Sequence, residues 1–185
     1  MKTTKRVFDV VVSAALLLIL LPLLAMIAAA VVATMGRPVI FRQERSGLHG
    51  RLFVMYKFRT MKNATGPDGR PLPDRERLTP LGRLLRAASL DELPELFNVL
   101  KGEMSVVGPR PPVPAEVAEY QDWHLQRLMV TPGLTGLWQV NGRSDLSFDE
   151  MVRLDLYYAE HWSPWLDIKL MLRTVPVVLT GRGAY

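Results

Sequence analysis

From Val10 to Gly36 the chain carries 27 residues without a single charge. As a straight helix that run is about 40 Å long, against a hydrocarbon layer of about 30 Å. Pro22 falls near its middle, where a proline removes a backbone hydrogen bond and clashes with the preceding turn, so a kink is predicted there. The two arms, each about 18–21 Å long, are too short to cross a bilayer alone. Lys2, Lys5 and Arg6 precede the run, and Arg37, Arg42 and Arg45 follow it. Basic flanks stay on the cytoplasmic side, which places both ends on that face. A re-entrant helix, bent at Pro22 and dipping into one leaflet, satisfies both flanks. Two readings compete with it: a kinked spanning helix, since proline is tolerated in such helices, and a secretory signal peptide. The latter has small residues, Ala28 and Ala30, for a cleavage site, but its apolar run is long for a signal.

The remainder alternates between short β-prone runs and helical stripes. Pro38–Arg42 and Leu52–Phe58 flank a glycine-containing turn, Ser46-Gly-Leu-His-Gly50, and predict a hairpin. The segment 63–77, rich in Pro, Gly, Asp and Arg, reads as an exposed loop. A helix is predicted over 79–88, with Arg83 and Arg86 on one side. Leu93, Leu96, Phe97 and Leu100 then form an i, i+3, i+4, i+7 stripe that ends at Lys101-Gly102. Helices are further predicted over 116–129 and 148–161, separated by a loop over 131–144. Preceded by Trp162, Ser163 and Pro164 open a last helix carrying Trp165, Lys169 and Arg173, which suits either a membrane interface or a packed core face. The fold class is therefore mainly α with a small β-hairpin. A membrane segment over 1–36 precedes a single catalytic unit over 37–185.

The chain has no cysteine, which excludes disulfides, thiolate nucleophiles and Cys-ligated metals. The net charge of +5 fits phosphate-bearing ligands, anionic lipid or nucleic acid. His49, His124 and His161 lack the close pairing of a typical zinc site.

Candidate chemistry centres on Asp91 and Glu92, in Ser89-Leu-Asp-Glu-Leu-Pro94. Ser89-x-x-Glu92 matches a capping box, which would put Asp91 in a first helical turn where acids are favoured. Pro94 counts against that box, yet taken alone the spacing favours this structural reading. Gly108-Pro-Arg-Pro111 is a rigid turn that would hold Arg110 for a two-point grip on phosphate, or would merely be exposed. In Tyr56-Lys-Phe-Arg-Thr-Met61, strand alternation puts Lys57 and Arg59 on one face, lining a phosphate site or solvated.

In combination these segments are far more specific. Lys2–Gly36 with its central proline is followed by Gln43-Glu-Arg-Ser-Gly47, Tyr56–Met61, Ser89–Ser105 and Val107-Gly-Pro-Arg-Pro111. Then come Pro132-Gly-Leu-Thr-Gly-Leu-Trp-Gln-Val-Asn-Gly-Arg143 and Asp155-Leu-Tyr-Tyr-Ala159. From about Lys5 to Thr180 the chain closely resembles the bacterial sugar transferases of the monotopic phosphoglycosyl transferase family, at the length of their minimal catalytic unit.

The resemblance implies transfer of a sugar-1-phosphate from a UDP-sugar to polyprenyl (undecaprenyl) phosphate, with release of UMP. This would initiate capsule, exopolysaccharide, O-antigen or other glycan assembly on the cytoplasmic face of the bacterial inner membrane. It implies Mg²⁺, a re-entrant membrane helix broken at Pro22, and partners that are membrane lipid and the two substrates, not nucleic acid. Carried over by position, Asp91 is the nucleophile, forming a covalent phosphosugar–aspartate, and a Mg²⁺ ligand. Glu92 is the second member of the dyad, and Lys57, Arg86 and Arg110 fall where the family places basic residues of the site; Arg59, on the strand face of Lys57, is taken with them as a phosphate-binding candidate. One departure is Thr131, where members often carry a basic residue. A membrane-anchored Mg²⁺-dependent phosphatase or pyrophosphatase would want the same groups and is the alternative.

Overall fold

A computed structural model describes residues 3–66, 68–70, 72–142 and 145–180. Lys2 of the basic flank, Pro67 and Pro71 of the polar segment, and Arg143 and Ser144 of the later loop lie outside the described residues.

The apolar run forms one helix, α1 (Thr3–Met35), with Pro22 inside it and no interruption between the two arms. It is long and apolar enough to cross a membrane. Its burial does not follow hydrophobicity. At the start the buried residues are Lys5, Asp9 and Ser13, four apart and so on one face. Ile27 and Val31 are buried near the other end, while Leu18, Ile19 and Leu21 between them are exposed.

The hairpin is present: β1 (Ile40–Ser46) pairs antiparallel with β2 (Leu52–Phe58), Ile40 opposite Phe58 and Ser46 opposite Leu52. Its first strand starts later and runs further than the sequence pattern indicated, because every residue as far as Ser46 finds a partner on β2. Phe53 and Met55 are buried, with the exposed Leu52 and Val54 alternating between them. After the polar segment and α2 (Asp74–Arg77), α3 (Pro80–Ala87) is capped by Thr79, whose Oγ1 accepts from Gly82 N at 2.9 Å. Gly82 lies against the backbone of Thr60, where a Cβ would come within 2.0 Å of the Thr60 carbonyl oxygen. Only glycine lets α3 approach the exit of β2 this closely.

Helix α4 (Glu95–Lys101) buries Leu96, Asn98 and Val99 and leaves Phe97 exposed, so the apolar stripe is corrected at that position. The cause is Asn98: its Nδ2 donates to Val54 O at 2.7 Å and its Oδ1 accepts from Tyr56 N at 3.1 Å, which turns that face of the helix onto the free edge of β2.

The long helix expected over 116–129 is instead α5 (Pro114–Val117), α6 (Asp122–Leu125) and a 3-10 turn, Gln126–Met129. The chain restarts at Gln121, whose N–H is taken by His124 Nδ1 at 3.1 Å. The loop over 131–144 also hides a strand. β3 (Ser105–Val107) pairs in parallel with β4 (Gly133–Thr135). A Cβ at Gly133 would meet Gly108 N at 2.0 Å, so this contact is backbone on backbone. The last two helices, α7 (Phe148–Glu160) and α8 (Pro164–Thr180), follow the sequence pattern.

Two apolar clusters result. One joins Phe53 and Met55 of the hairpin to Val99, Met104, Val107, Tyr158 and Leu170; the other packs Ile27 and Val31 of α1 against Phe58 and Leu85. The polar start of α1 is tied in separately. Lys5 Nζ donates to Asp167 Oδ2 at 2.8 Å, Asp9 Oδ1 accepts from Ser105 Oγ at 2.9 Å, and Tyr158 OH donates to Asp167 Oδ1 at 2.7 Å. Asp167 is 1% exposed. Removing one partner of a buried pair leaves an uncompensated charge, so Asp167→Ala is expected to cost about 3–5 kcal/mol. Urea unfolding in lipid nanodiscs, followed by tryptophan fluorescence, checks this as a lower midpoint.

Candidate active site

The capping box does not form. Ser89 lies in the left-handed region (φ 50°, ψ 22°) and its side chain caps nothing. Its N–H donates to Arg86 O at 3.0 Å and its carbonyl accepts from Glu92 N at 3.3 Å, closing a 3-10 turn over Leu90–Glu92. Pro94 has no N–H with which to continue that turn, so α4 starts anew at Glu95. Asp91 and Glu92 thus sit on a tight reversal between α3 and α4, and their side chains diverge.

Glu92 turns to the hairpin. Lys57 Nζ donates to its Oε1 at 2.5 Å, and Arg110 Nη1 lies 3.6 Å from the same oxygen. The same ammonium is 3.2 Å from Glu95 Oε1. Burial alone would lower the Lys57 pKa, but the two carboxylates more than offset it and leave it above that of an ordinary lysine. Glu95 is 3% exposed; burial, and then the charge of Glu92, push its carboxyl up to about 8.

Asp91 faces elsewhere. It is 8% exposed, and among the described residues no Lys or Arg comes within 4.0 Å of its carboxylate. Burial and the neighbouring Glu92 raise its pKa, while Lys57 and Arg86 oppose them from a greater distance. Arg86 is aimed by Thr60, whose Oγ1 accepts from Nε at 3.1 Å. Arg110 is held on the turn after β3 and is partly exposed.

Of the six expected side chains, Lys57, Glu92 and Arg110 meet in one slot, while Asp91 lies beside it on the same turn, within reach of the charges of Lys57 and Arg86. Arg59 does not join them. It is buried, and its guanidinium donates to Met61 O, Met35 O and Arg37 O at 2.9–3.2 Å. The strand ends at Phe58, so the alternation that pairs Lys57 with Arg59 no longer applies. Arg59 instead closes the carbonyl end of α1. Pro22 lies far along α1 and takes no part in the cluster. Sequence reasoning missed two residues. Glu95 lies one helical turn after Glu92, a spacing that could have marked it. Arg45 lines the same narrow slot as Lys57, Glu92, Glu95 and Arg110, and its Nη1 donates to Pro111 O at 3.0 Å; its place inside Gln43-Glu-Arg-Ser-Gly47, one of the segments that carry the resemblance, is the signal that could have found it.

A buried carboxylate left out of ion pairs, yet within reach of the charges of Lys57 and Arg86, is an arrangement suited to phosphate chemistry. The family described as "Bacterial sugar transferase" matches residues 1–181. The chain belongs to the bacterial sugar transferase family. A sugar transferase of Bacillus subtilis is 44% identical over 97% of this chain and 89% of its own length. An undecaprenyl-phosphate galactose phosphotransferase of Salmonella typhimurium is 43% identical over 98% of the chain, which spans 41% of that longer protein. A UDP-glucose:undecaprenyl-phosphate glucose-1-phosphate transferase of Caulobacter vibrioides is 44% identical, with 98% of this chain and 72% of that protein covered.

The donor set of this sugar transferase fits Mg²⁺. Among the described residues no three acidic or histidine side chains form a cage for a metal. Mg²⁺ does not ask for one: it is commonly held by one or two carboxylates, substrate phosphates and water. Asp91, a hard oxygen donor outside the ion pairs, is the group placed to contribute.

The raised carboxyl of Glu95 has a consequence for stability. Its folded pKa, about 8, lies above the ordinary 4.5, so the folded protein binds more protons than the unfolded one between those values. That contribution is present below about pH 4.5 and is lost as pH rises through about 8. Glu95→Gln is expected to flatten the decline in stability across this window, as measured by unfolding midpoints at pH 5, 6, 7 and 8.

Proposed function

We propose that the protein transfers a sugar-1-phosphate from a UDP-sugar to polyprenyl phosphate at the cytoplasmic face of the inner membrane and so starts the assembly of a glycan. The observation that carries this reading is Asp91: buried, felt by the charges of Lys57 and Arg86, and the one carboxylate of three that Lys57 does not pair with. The printed activities of the Salmonella and Caulobacter relatives agree with it.

Asp91 Oδ attacks the sugar-bearing phosphorus. The bond from that phosphorus to the bridging oxygen breaks, and UMP leaves with the electron pair. An oxygen of the lipid phosphate then attacks the same phosphorus, the Asp91–phosphorus bond breaks, and the carboxylate returns. Arg86 and Arg110 stabilise charge on the phosphate oxygens. Glu92 and Glu95 together hold Lys57 at the rim of the site. A Mg²⁺ ion held by Asp91 and the diphosphate would supply Lewis-acid neutralisation of the substrate's charge.

The same reading places α1 as a re-entrant helix. One body holds both of its ends. Arg6 donates to Val99 O and Leu100 O at 2.5 and 2.6 Å, and Lys5 reaches α8, while Ile27, Val31 and Met35 pack near Phe58 and Leu85. A helix spanning a layer about 30 Å thick would separate those ends. The exposed Leu18, Ile19 and Leu21 then lie in lipid, and Trp165, Leu172 and Val175 of α8 are exposed for the interface, beside Lys169 and Arg173.

Two measurements test the chemistry and the topology. Enzyme with Mg²⁺ and the correct UDP-sugar, but no lipid, should release at most about one UMP per site and carry one sugar phosphate on the Asp91 peptide. Polyprenyl phosphate should clear that adduct, EDTA should block both stages, and Asp91→Asn should abolish release while folding and membrane binding persist. Continuous release without lipid would mark a hydrolase instead. For the topology, a cysteine placed at Thr3 should resist impermeant labelling from the periplasm of intact cells, and Pro22→Ala should expose it by favouring a spanning helix.

A further inference from the structure

Beyond Arg110 a cavity of about 400 Å³ opens, outside the carboxylate cluster. Arg110 and Pro111 belong both to its wall and to the slot that holds Lys57, Glu92 and Glu95, so the two spaces meet at Arg110. The wall is aromatic: Tyr120, His124, Trp138 and Phe148. The Tyr120 and Phe148 rings are 5.4 Å apart, and His124 meets Phe148 edge-on at 5.0 Å. His124 is itself held, with Nδ1 on Gln121 N and Nε2 3.2 Å from Asp149. Arg127 braces the wall to the site, donating to Tyr120 OH at 2.9 Å, Asp155 Oδ2 at 2.5 Å and Arg110 O at 3.4 Å.

Two N–H groups of wall residues, Arg127 Nε and Trp138 Nε1, are buried without a hydrogen-bond partner among the described residues. Unmet buried donors are costly, and a ligand with acceptor oxygens would relieve them. The wall also carries two exposed carboxylates, Glu116 and Glu119, which accept from hydroxyls and repel phosphate. The cavity therefore suits a flat ring with carbonyl oxygens, joined to a diol and continuing into a phosphate only at the Arg110 end.

We propose that this cavity is the nucleoside subsite of the donor. The pyrimidine lies against Tyr120, Trp138 and Phe148, the ribose faces Glu116 and Glu119, and the nucleoside-bearing phosphate lies at Arg110. This rests on the UDP-sugar reading above and extends it. The order follows from the chemistry of the donor: the phosphorus bonded to Asp91 keeps the sugar, so the nucleoside belongs on the side from which the leaving phosphate departs. Arg110 stands at that boundary and receives the charge that the leaving oxygen gains.

The test uses the full chain in lipid nanodiscs, with UMP as probe. Phe148 is 40% exposed, so its truncation leaves the core intact. Phe148→Ala should weaken UMP binding about tenfold and raise KM for the UDP-sugar by a similar factor, with kcat changed less than about threefold. Binding of the sugar-1-phosphate and of polyprenyl phosphate should be unchanged. Independently of any variant, photoactivated 4-thio-UMP should attach to the peptide containing Trp138 or Phe148. Wild-type affinity of the variant for UMP, attachment within residues 63–77, or a loss confined to the sugar-1-phosphate would overturn the subsite while leaving the transferase standing. Absence of both UMP binding and turnover in the wild-type protein would overturn the subsite and the transferase reading together.

Discussion

Three carboxylates lie within five residues, two of them buried and the third partly so, and Lys57 makes this possible. Its ammonium sits between Glu92 and Glu95 and compensates both. Without it, Glu95 would be left buried next to the charge of Glu92. Much of the architecture can be traced to delivering that one ammonium. Strand β2 carries Lys57, Asn98 binds the edge of β2 to α4, and α4 brings Glu95 under it. The left-handed turn at Ser89 then separates Glu92, which joins Lys57, from Asp91, which does not. Asp91 is thereby left outside the ion pairs that its neighbours form.

A second constraint is that an apolar helix starts with buried polar groups. Lys5, Asp9 and Ser13 lie on one face of α1, and two of them are absorbed into a network with Ser105, Tyr158 and Asp167. A polar contact of this kind has one geometry, whereas apolar packing tolerates sliding. The network therefore sets the register between the membrane-facing helix and the body that carries the site. At the other end Arg59 closes the carbonyls of α1. The residue expected to line the phosphate site thus serves to seat the helix from which a lipid substrate would approach.

The sequence was most legible where a periodic pattern ran long or a cap had distinct chemistry. The apolar run of α1, the hairpin, α3, α7 and α8 were readable, because hydrophobic alternation, Pro at the first helical position and Ser caps act locally. The short elements were not. Three-residue strands β3 and β4 carry no period, and their pairing depends on Gly108 and Gly133 touching across a gap in sequence that no local rule spans. The helix expected over 116–129 broke because His124 and Arg127 bond to groups of their own neighbourhood and of α7, which the apolar spacing does not record.

The same division runs through the site. The sequence by itself determined that Asp91 and Glu92 follow one helix closely and that Arg110 rides on a rigid Pro-flanked turn, since backbone chemistry within a few residues dictates both; that the pair sits on a 3-10 turn ahead of the next helix and not in its first turn was decided by the fold. Tertiary structure alone decided which basic groups join them. Lys57 arrives and Arg59 departs because alternation holds only inside a strand and β2 stops at Phe58. Glu95 and Arg45 enter because a buried charge must find its opposite wherever the chain brings one within a few ångströms, and that distance is a property of the folded molecule.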